Sequence, residues 1–457
     1  MQSVDGRAGA QRYDEVLATA AAFPDIPLEA VFKEDLLRLG VQFTPAALQL
    51  AARFKPRSYF IFSFDLAPLS ELDENATLHA PEEMALIGGA HDLQRTIVSV
   101  RLSPSSPYRV DAEGQRLSLA VGDQRLCDVL LGPNPEYYKG TLTSGKPMRE
   151  VAPTIEWGYL IYLTAFRLCQ YFGADEECQF CDINENFRQQ RKAGRPYHQV
   201  KDIDDILEAL DIIVRAEKEA DLQEQQGVPE SEGPVLPLHR SAAYTITGGS
   251  ITSQLQGMDE IDFYCRYVEA VESRHPGRWI SKAVVQAHEA DAARRLKEAG
   301  TQIYHPNYEI WDERLFRILC PGKERHVGRD TWIRRILDAR DVFGAGNVIP
   351  NFVAGVEMAR PHGYTRVDDA LASTGEGLEF FMSQGVVPRF TTWCPEPLSV
   401  LGRNQGPAPL EYHLGLLRLW RDTHRKHQLP APPGYGEPGT GKAVFSVSAF
   451  MDVLNHT

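Results

Sequence analysis

Cys169, Cys178 and Cys181 lie within thirteen positions, in Cys169-Gln-Tyr-Phe-Gly-Ala-Asp-Glu-Glu-Cys-Gln-Phe-Cys181, and the aromatic Phe180 directly precedes the last. Thiolates bind iron tightly, and three from one loop can grip three of the four irons of a cubane iron-sulfur cluster. The fourth iron is then left for an outside ligand, which suits radical chemistry better than electron carriage. Two other readings compete. Zinc takes four ligands, usually two Cys-x-x-Cys pairs or cysteine with histidine; here one such pair occurs and no histidine falls in the loop. Buried inert cysteine is common for single residues but accounts poorly for three so close together. The open cluster is the favoured reading, with a zinc-stabilised, non-enzymatic binding protein as the alternative from another class.

Further chemistry-bearing residues follow in order. Tyr244-Thr-Ile-Thr-Gly-Gly-Ser-Ile251 ends a candidate strand in Gly248 and Gly249. Glycine lets backbone approach a ligand with no Cβ in the way, although the pair alone also reads as a turn. Asn307 and Glu309 follow another strand. A carboxylate there can accept from two vicinal hydroxyls, or it is a surface acid ahead of a helix. The apolar run Val348-Ile-Pro-Asn-Phe-Val-Ala-Gly-Val-Glu-Met358 is core in any reading, and only its top end can meet a ligand. Gln286 and His288 follow one strand, and Cys394 follows another in Arg389-Phe-Thr-Thr-Trp-Cys-Pro395. His288 and Cys394 are the candidate catalytic side chains, against the plainer reading of a satisfied structural histidine and a buried thiol. Cys127, Cys265 and Cys320 are too widely spaced to make a second cluster motif. Gly436-Glu-Pro-Gly-Thr-Gly-Lys-Ala443 nearly spells a P-loop, but Ala443 replaces the hydroxyl that would hold Mg²⁺ and no strand precedes it.

Strand, cysteine loop and the aromatic before the last cysteine resemble the radical S-adenosylmethionine (radical SAM) superfamily. The usual spacing there is Cys-x3-Cys-x2-Cys, whereas this chain has Cys-x8-Cys-x2-Cys; a longer loop costs little closure entropy. The stretch 297–323 is similar to biotin-synthase-related members. The resemblance implies that Cys169, Cys178 and Cys181 hold a [4Fe-4S] cluster and that Phe180, Gly248, Gly249, Ser250, Asn307, Glu309, Val353 and Glu357 contact S-adenosylmethionine. Ser250 stands where the family's Gly-Gly-Glu has its acid. Asn351 stands where Gly-x-Ile-x-Gly-x-x-Glu has its first glycine, Val353 and Gly355 match in place, and Glu357 comes one residue early. The implied activity is reductive cleavage of S-adenosylmethionine to a 5′-deoxyadenosyl radical, which abstracts hydrogen from a small or medium organic substrate. A one-electron donor such as flavodoxin or ferredoxin is the implied partner. A sulfur-inserting enzyme with a second cluster is the related alternative.

What must position these residues is a strand ahead of each. Candidate strands are 157–164, 242–247, 279–286, 301–306, 347–354 and 387–392, with helices between. Ile203, Ile206, Leu207, Leu210 and Ile213 mark one apolar helical face, and Trp332, Ile333, Ile336 and Leu337 another. Strand alternating with helix argues for a parallel sheet with right-handed crossovers. Six such units predict an α/β chain with a partial (β/α)6 TIM-type barrel, whose sites gather at the C-terminal strand ends. Residues 151–400 carry it. Residues 1–150 read as an N-terminal α+β accessory domain, helical over 14–54 with strands at 58–64, 96–102, 116–121 and 125–131. Residues 401–457 read as a C-terminal helix near 410–426 and a Pro/Gly-rich tail. The polar stretch 221–234 predicts a surface loop.

The 457 residues suffice to bury a large core. A formal net charge of −14 argues against a nucleic-acid partner, and the densest basic patch, Arg188, Arg191, Lys192 and Arg195, reads as a solvated face. No apolar run approaches the length of a membrane span, and Met1-Gln-Ser-Val-Asp-Gly lacks the pattern of a secretory signal. Seven cysteines, an odd count, fit a reducing cytoplasm without structural disulfides.

Overall fold

The computed structural model describes residues 6–173, 175–225 and 234–454. Six strands run parallel in the order of the sequence: Leu160–Phe166, Ala243–Gly248, Ile280–Val284, Ile303–Tyr304, Asn351–Ala354 and Arg389–Thr392. The first four form one sheet, edged by the short antiparallel strand Thr154–Ile155, and the last two pair with each other. Between the fourth and fifth, the ladder shrinks to two parallel bridges, Tyr304–Val348 and Glu309–Phe352. The fourth strand is short because Pro306, just beyond it, has no N–H to continue the ladder. All six expected strands are present, and the protein is α/β with parallel sheets.

Helices connect the strands. Ile203–Gln225 buries Ile206, Leu210 and Ile213; Arg329–Phe343 buries Trp332 and Ile336. The first of these runs five residues into the expected loop 221–234, from Asp221 to Gln225; residues 226–233 lie outside the described residues. Among the described residues, no helix is long and apolar enough to cross a membrane.

Ahead of the parallel strands lies a six-stranded sheet in the order 42–43, 108–113, 116–121, 124–130, 83–88, 93–99, antiparallel except at its first pair. The expected strands at 96–102, 116–121 and 125–131 fall on members of it, while 42–43, 83–88 and 108–113 were not foreseen. The segment 58–64 is not a strand. Side chains satisfy its backbone instead of a neighbouring strand: Ser58 N–H donates to Glu82 and Ser63 N–H to Asp182, while Phe60 O accepts from Arg167 and Ile61 O from Asn186.

One hydrophobic core runs from Val31 and Leu36 through Leu119, Ile161, Ile246 and Tyr304 to Trp420 and Phe450. Buried polar contacts staple the N-terminal helices to the tail. Lys33 pairs with Asp452 at 2.7 Å, and Thr96 donates to the same carboxylate. Glu34 accepts from Thr392 and from Ala449 N–H. Ser99 N–H bonds Ser446 O.

Candidate functional site

The first parallel strand ends at Phe166 and feeds the cysteine loop. Asn184, on the helix Ile183–Lys192, grips the start of that loop: its Oδ1 accepts from Cys169 N–H at 2.9 Å and its Nδ2 donates to Glu177. The loop's far side docks on the short helices Glu313–Leu319 and Pro321–His326. Gln179 N–H bonds Leu319 O, Gly322 N–H bonds Glu176 O, and Leu401 N–H bonds Gln179 O. The three thiols face one cavity of about 250 Å³, each lying deep in the molecule yet keeping some exposure to that space. Burial pushes the Cys169 thiol up to about 12 and Cys181 well above its ordinary value, whereas a hydrogen bond from Cys320 and the nearby Lys323 hold Cys178 down. Cys320, which sequence spacing sets apart, therefore stands beside Cys178.

The second strand brings Gly248, Gly249 and Ser250 to the same cavity. A Cβ on Gly249 would lie 1.9 Å from Leu168 O and 2.5 Å from Cys169 Cα; one on Gly248 would lie 2.5 Å from Phe166 O. The glycine pair is thus required by the close approach of the cysteine loop itself, in addition to any ligand. Ser250 O accepts from Gln170 N–H at 2.8 Å. Glu260, the first residue of the helix Glu260–Arg274, accepts from Ile251 N–H and fixes the turn. It also accepts from Gln286, which in turn takes the Tyr171 hydroxyl hydrogen bond.

Phe180, Asn307, Glu309 and Val353 line the cavity as well. Glu309 pairs with Lys323 at 2.6 Å, and Lys323 also donates to Asn307 O and lies 4.5 Å over the Trp332 ring. Asn307 Oδ1 accepts from Asn351 N–H. Cys394 lines the cavity, and its thiol donates to Phe64 O at 3.3 Å. Two expected residues stand elsewhere. Glu357 is off the cavity wall: its carboxylate accepts from Gly355 N–H, Thr374 and Tyr412, stapling the strand end to the helices Val367–Ser383 and Leu410–Lys426. The one-residue offset of Glu357 turns its side chain toward those helices. His288 is also off the wall; its Nε2 contacts the Glu260 carboxylate.

Sequence reasoning missed Glu156, Tyr171, Asp182, Glu260, Lys323, Arg389 and Glu396, all of which line the cavity. Asp182 directly follows Cys181, and burial pushes its carboxyl up to about 6 even though Ser63 donates to it twice. Glu396 is raised further, by burial and by Asp182. The segment 58–64 supplies Phe60, Ile61, Phe62 and Phe64 as an apolar wall.

Three thiols of one loop on one cavity are a donor set that could hold three irons of a cluster. Among the described residues, no three His, Cys, Asp or Glu side chains converge on a point that could hold one metal ion. A single tetrahedral zinc with bonds of about 2.3 Å needs its sulfurs only about 3.8 Å apart, whereas a cubane spreads its thiolates wider.

No family model matches this chain, and no curated protein matches it. Several solved structures are similar. Methylornithine synthase (PylB) matches with 12% identity over 62% of this chain and 71% of its own, at a TM-score of 0.36. HydG, a maturase of the [FeFe]-hydrogenase, matches with 12% identity over 57% and 48%, at 0.36. Coproporphyrinogen III oxidase (HemN) from Escherichia coli, a radical SAM enzyme, matches with 10% identity over 41% of each chain, at 0.30.

Proposed function

We propose that this chain is a radical SAM enzyme whose six parallel strands form a partial (β/α)6 barrel, with Cys169, Cys178 and Cys181 holding a [4Fe-4S] cluster. The observation that carries this reading is the convergence of three thiols from one loop on a cavity that also collects Gly248, Gly249, Ser250, Asn307, Glu309 and Val353 from the ends of other strands. When bound, the cluster and S-adenosylmethionine supply one-electron cleavage of the sulfonium to methionine and a 5′-deoxyadenosyl radical, which takes a hydrogen atom from substrate.

The chain's own residues bind, orient and shield. The backbone at Gly248–Ser250, fixed by Glu260, offers unhindered polar groups beside the cysteine loop. Asn307 and Glu309 stand ready for hydroxyl groups, with Lys323 holding the Glu309 carboxylate in place. Phe60, Phe62 and Phe64 from the N-terminal region exclude water, which protects a reactive intermediate from side reactions. That region thereby caps the mouth, and a flavodoxin- or ferredoxin-like protein is the electron donor.

Anaerobic reconstitution with iron and sulfide tests the reading. The expected result is a brown protein with about four irons per chain that releases 5′-deoxyadenosine when reduced with S-adenosylmethionine. A colourless protein with tightly bound zinc refutes it, and substantially more than four irons favours a second cluster.

A further inference from the structure

The cavity lining also carries charges that the cysteine and S-adenosylmethionine reading does not use. Five buried polar atoms without a hydrogen-bond partner belong to residues that line it: Glu156 Oε2, Asp182 Oδ1, Arg389 Nε, Trp393 Nε1 and Glu396 Oε2. Unsatisfied buried groups are rare and each is destabilising, so five of them around one cavity mark a place where a ligand completes the hydrogen bonding.

Glu156 and Arg389 stand out among them. Glu156 is 3% exposed, and no side-chain donor reaches its carboxylate among the described residues. It sits in a left-handed backbone conformation, φ 54°, next to Trp157 at φ 56°. Consecutive left-handed residues with side chains are costly. Glu83 holds them there, accepting from both Glu156 N–H and Trp157 N–H at 2.7 and 2.8 Å. Arg389 opens the sixth parallel strand. Its guanidinium has no hydrogen-bond or ion-pair partner among the described residues and lies 5.7 Å from the ring centres of Tyr435 and Phe445. Burial pushes the Glu156 carboxyl up to about 7, against the pull of Lys282 first and of Arg389 after it. Glu156 and Arg389 do not pair directly. The neighbouring Lys282 is already engaged, donating to Gly434 O and lying over the Tyr435 ring.

A carboxyl group and a guanidinium fixed by separate scaffolds on one cavity wall, unpaired with each other, match a ligand carrying an ammonium and a carboxylate on one carbon. We propose that this part of the cavity binds the zwitterionic head of an α-amino acid, with its carboxylate on Arg389 and its ammonium on Glu156, and that the substrate is an amino acid whose side chain lies along the apolar wall. The proposal rests on the radical SAM reading for the fate of that side chain, but not for the binding itself.

The test is thermal shift on the reconstituted full chain under anaerobic conditions. Each of the twenty proteinogenic L-amino acids is added at 10 mM, with S-adenosylhomocysteine present to occupy the S-adenosylmethionine site. At least one amino acid should raise the melting temperature. Its decarboxylated amine and its deaminated acid should not, and its apparent affinity should fall at least tenfold in Glu156→Gln and in Arg389→Gln. Glu156→Gln is isosteric, so it decides the matter even where the arginine variant folds poorly. The proposal is overturned if none of the twenty shifts the protein, if either single-charge analogue binds as well as the parent, or if Glu156→Gln binds like the wild type. Iron content and 5′-deoxyadenosine release, measured on the same samples, report separately on the radical SAM reading.

Discussion

Gly249→Ala is the sharpest test of how the cysteine loop is seated. The new Cβ would lie 1.9 Å from Leu168 O and 2.5 Å from both Cys169 Cα and Leu168 C. Ordinary van der Waals contact begins near 3.4 Å, so the two backbones must separate by about 1.5 Å at the closest point. Both sides are backbone, and neither can rotate away as a flexible side chain would. The separation pulls on the 2.8 Å hydrogen bond from Gln170 N–H to Ser250 O. Overpacking of this kind costs about 1–3 kcal/mol, and loss of the hydrogen bond adds about 1 kcal/mol. At about 2.1 cal/mol/K per residue, a chain of 457 residues has an unfolding entropy of about 1 kcal/mol/K. A total of about 2–4 kcal/mol therefore lowers Tm by only about 2–4 °C. The effect on the cluster should be larger than the effect on the fold, because the displaced atoms carry Cys169. The assay is iron per chain after anaerobic reconstitution, read beside Tm, with Ser250→Ala as the control that keeps the backbone in place and loads iron normally. Full iron loading together with an unchanged Tm in Gly249→Ala would refute the close-approach argument.

Three more outcomes are expected. Cys178→Ala should abolish cluster assembly and cleavage of S-adenosylmethionine while the chain stays folded; a variant with normal iron content removes Cys178 from the ligand set. Glu357→Gln should leave the affinity for S-adenosylmethionine unchanged and lower Tm by about 1–3 °C, since a buried carboxylate with three donors loses about 1–3 kcal/mol; a selective loss of affinity, measured by calorimetry, would return Glu357 to the ligand site. Glu34, fully buried, has its carboxyl pushed up to about 7 by burial. The folded state then holds a proton that the unfolded state has already released, so its contribution to stability is complete below the ordinary carboxyl range and is lost as pH rises toward 7. Glu34→Gln removes that penalty, and its Tm minus that of the wild type should increase between about pH 5 and pH 8. A constant difference across that range contradicts the assignment.

The parallel strands were legible because each is a β-branched or aromatic run closed by turn residues, and the cysteine loop because its residue type is rare and its spacing tight. The same composition misled at 58–64. An aromatic run reads as a strand whether its backbone is paired by another strand or, as here, by Glu82, Asp182, Arg167 and Asn186. Glu357 stands off the cavity wall for a different reason: one position of offset after Gly355, itself at φ 107°, is enough to turn a side chain from the lumen to the helices. Glu156 and Arg389 had no local signature at all. A charged residue at the start of a strand looks like any surface charge until the tail, through Tyr435 and Phe445, closes over it.

The long spacing between Cys169 and Cys178 makes physical sense once the loop's neighbours are considered. Chain entropy charges little for five more residues in a closed loop, but a loop without partners would not hold its thiols in register. Here the added length reaches the helix pair Glu313–Leu319 and Pro321–His326. Glu176 O accepts from Gly322 N–H, the Glu176 carboxylate meets Arg325 and His326, and Gln179 bonds Leu319 O. A Cβ on Gly322 would lie 2.5 Å from Glu176 O and 2.6 Å from Tyr171, so this docking too needs glycine. The same helix pair delivers Cys320 to Cys178 and Lys323 to Glu309. The extended loop and the two short helices therefore form one unit: the loop carries the middle thiol to the place where Cys320 and Lys323 lower its pKa, and a shorter loop would leave Cys320 without the thiol it faces.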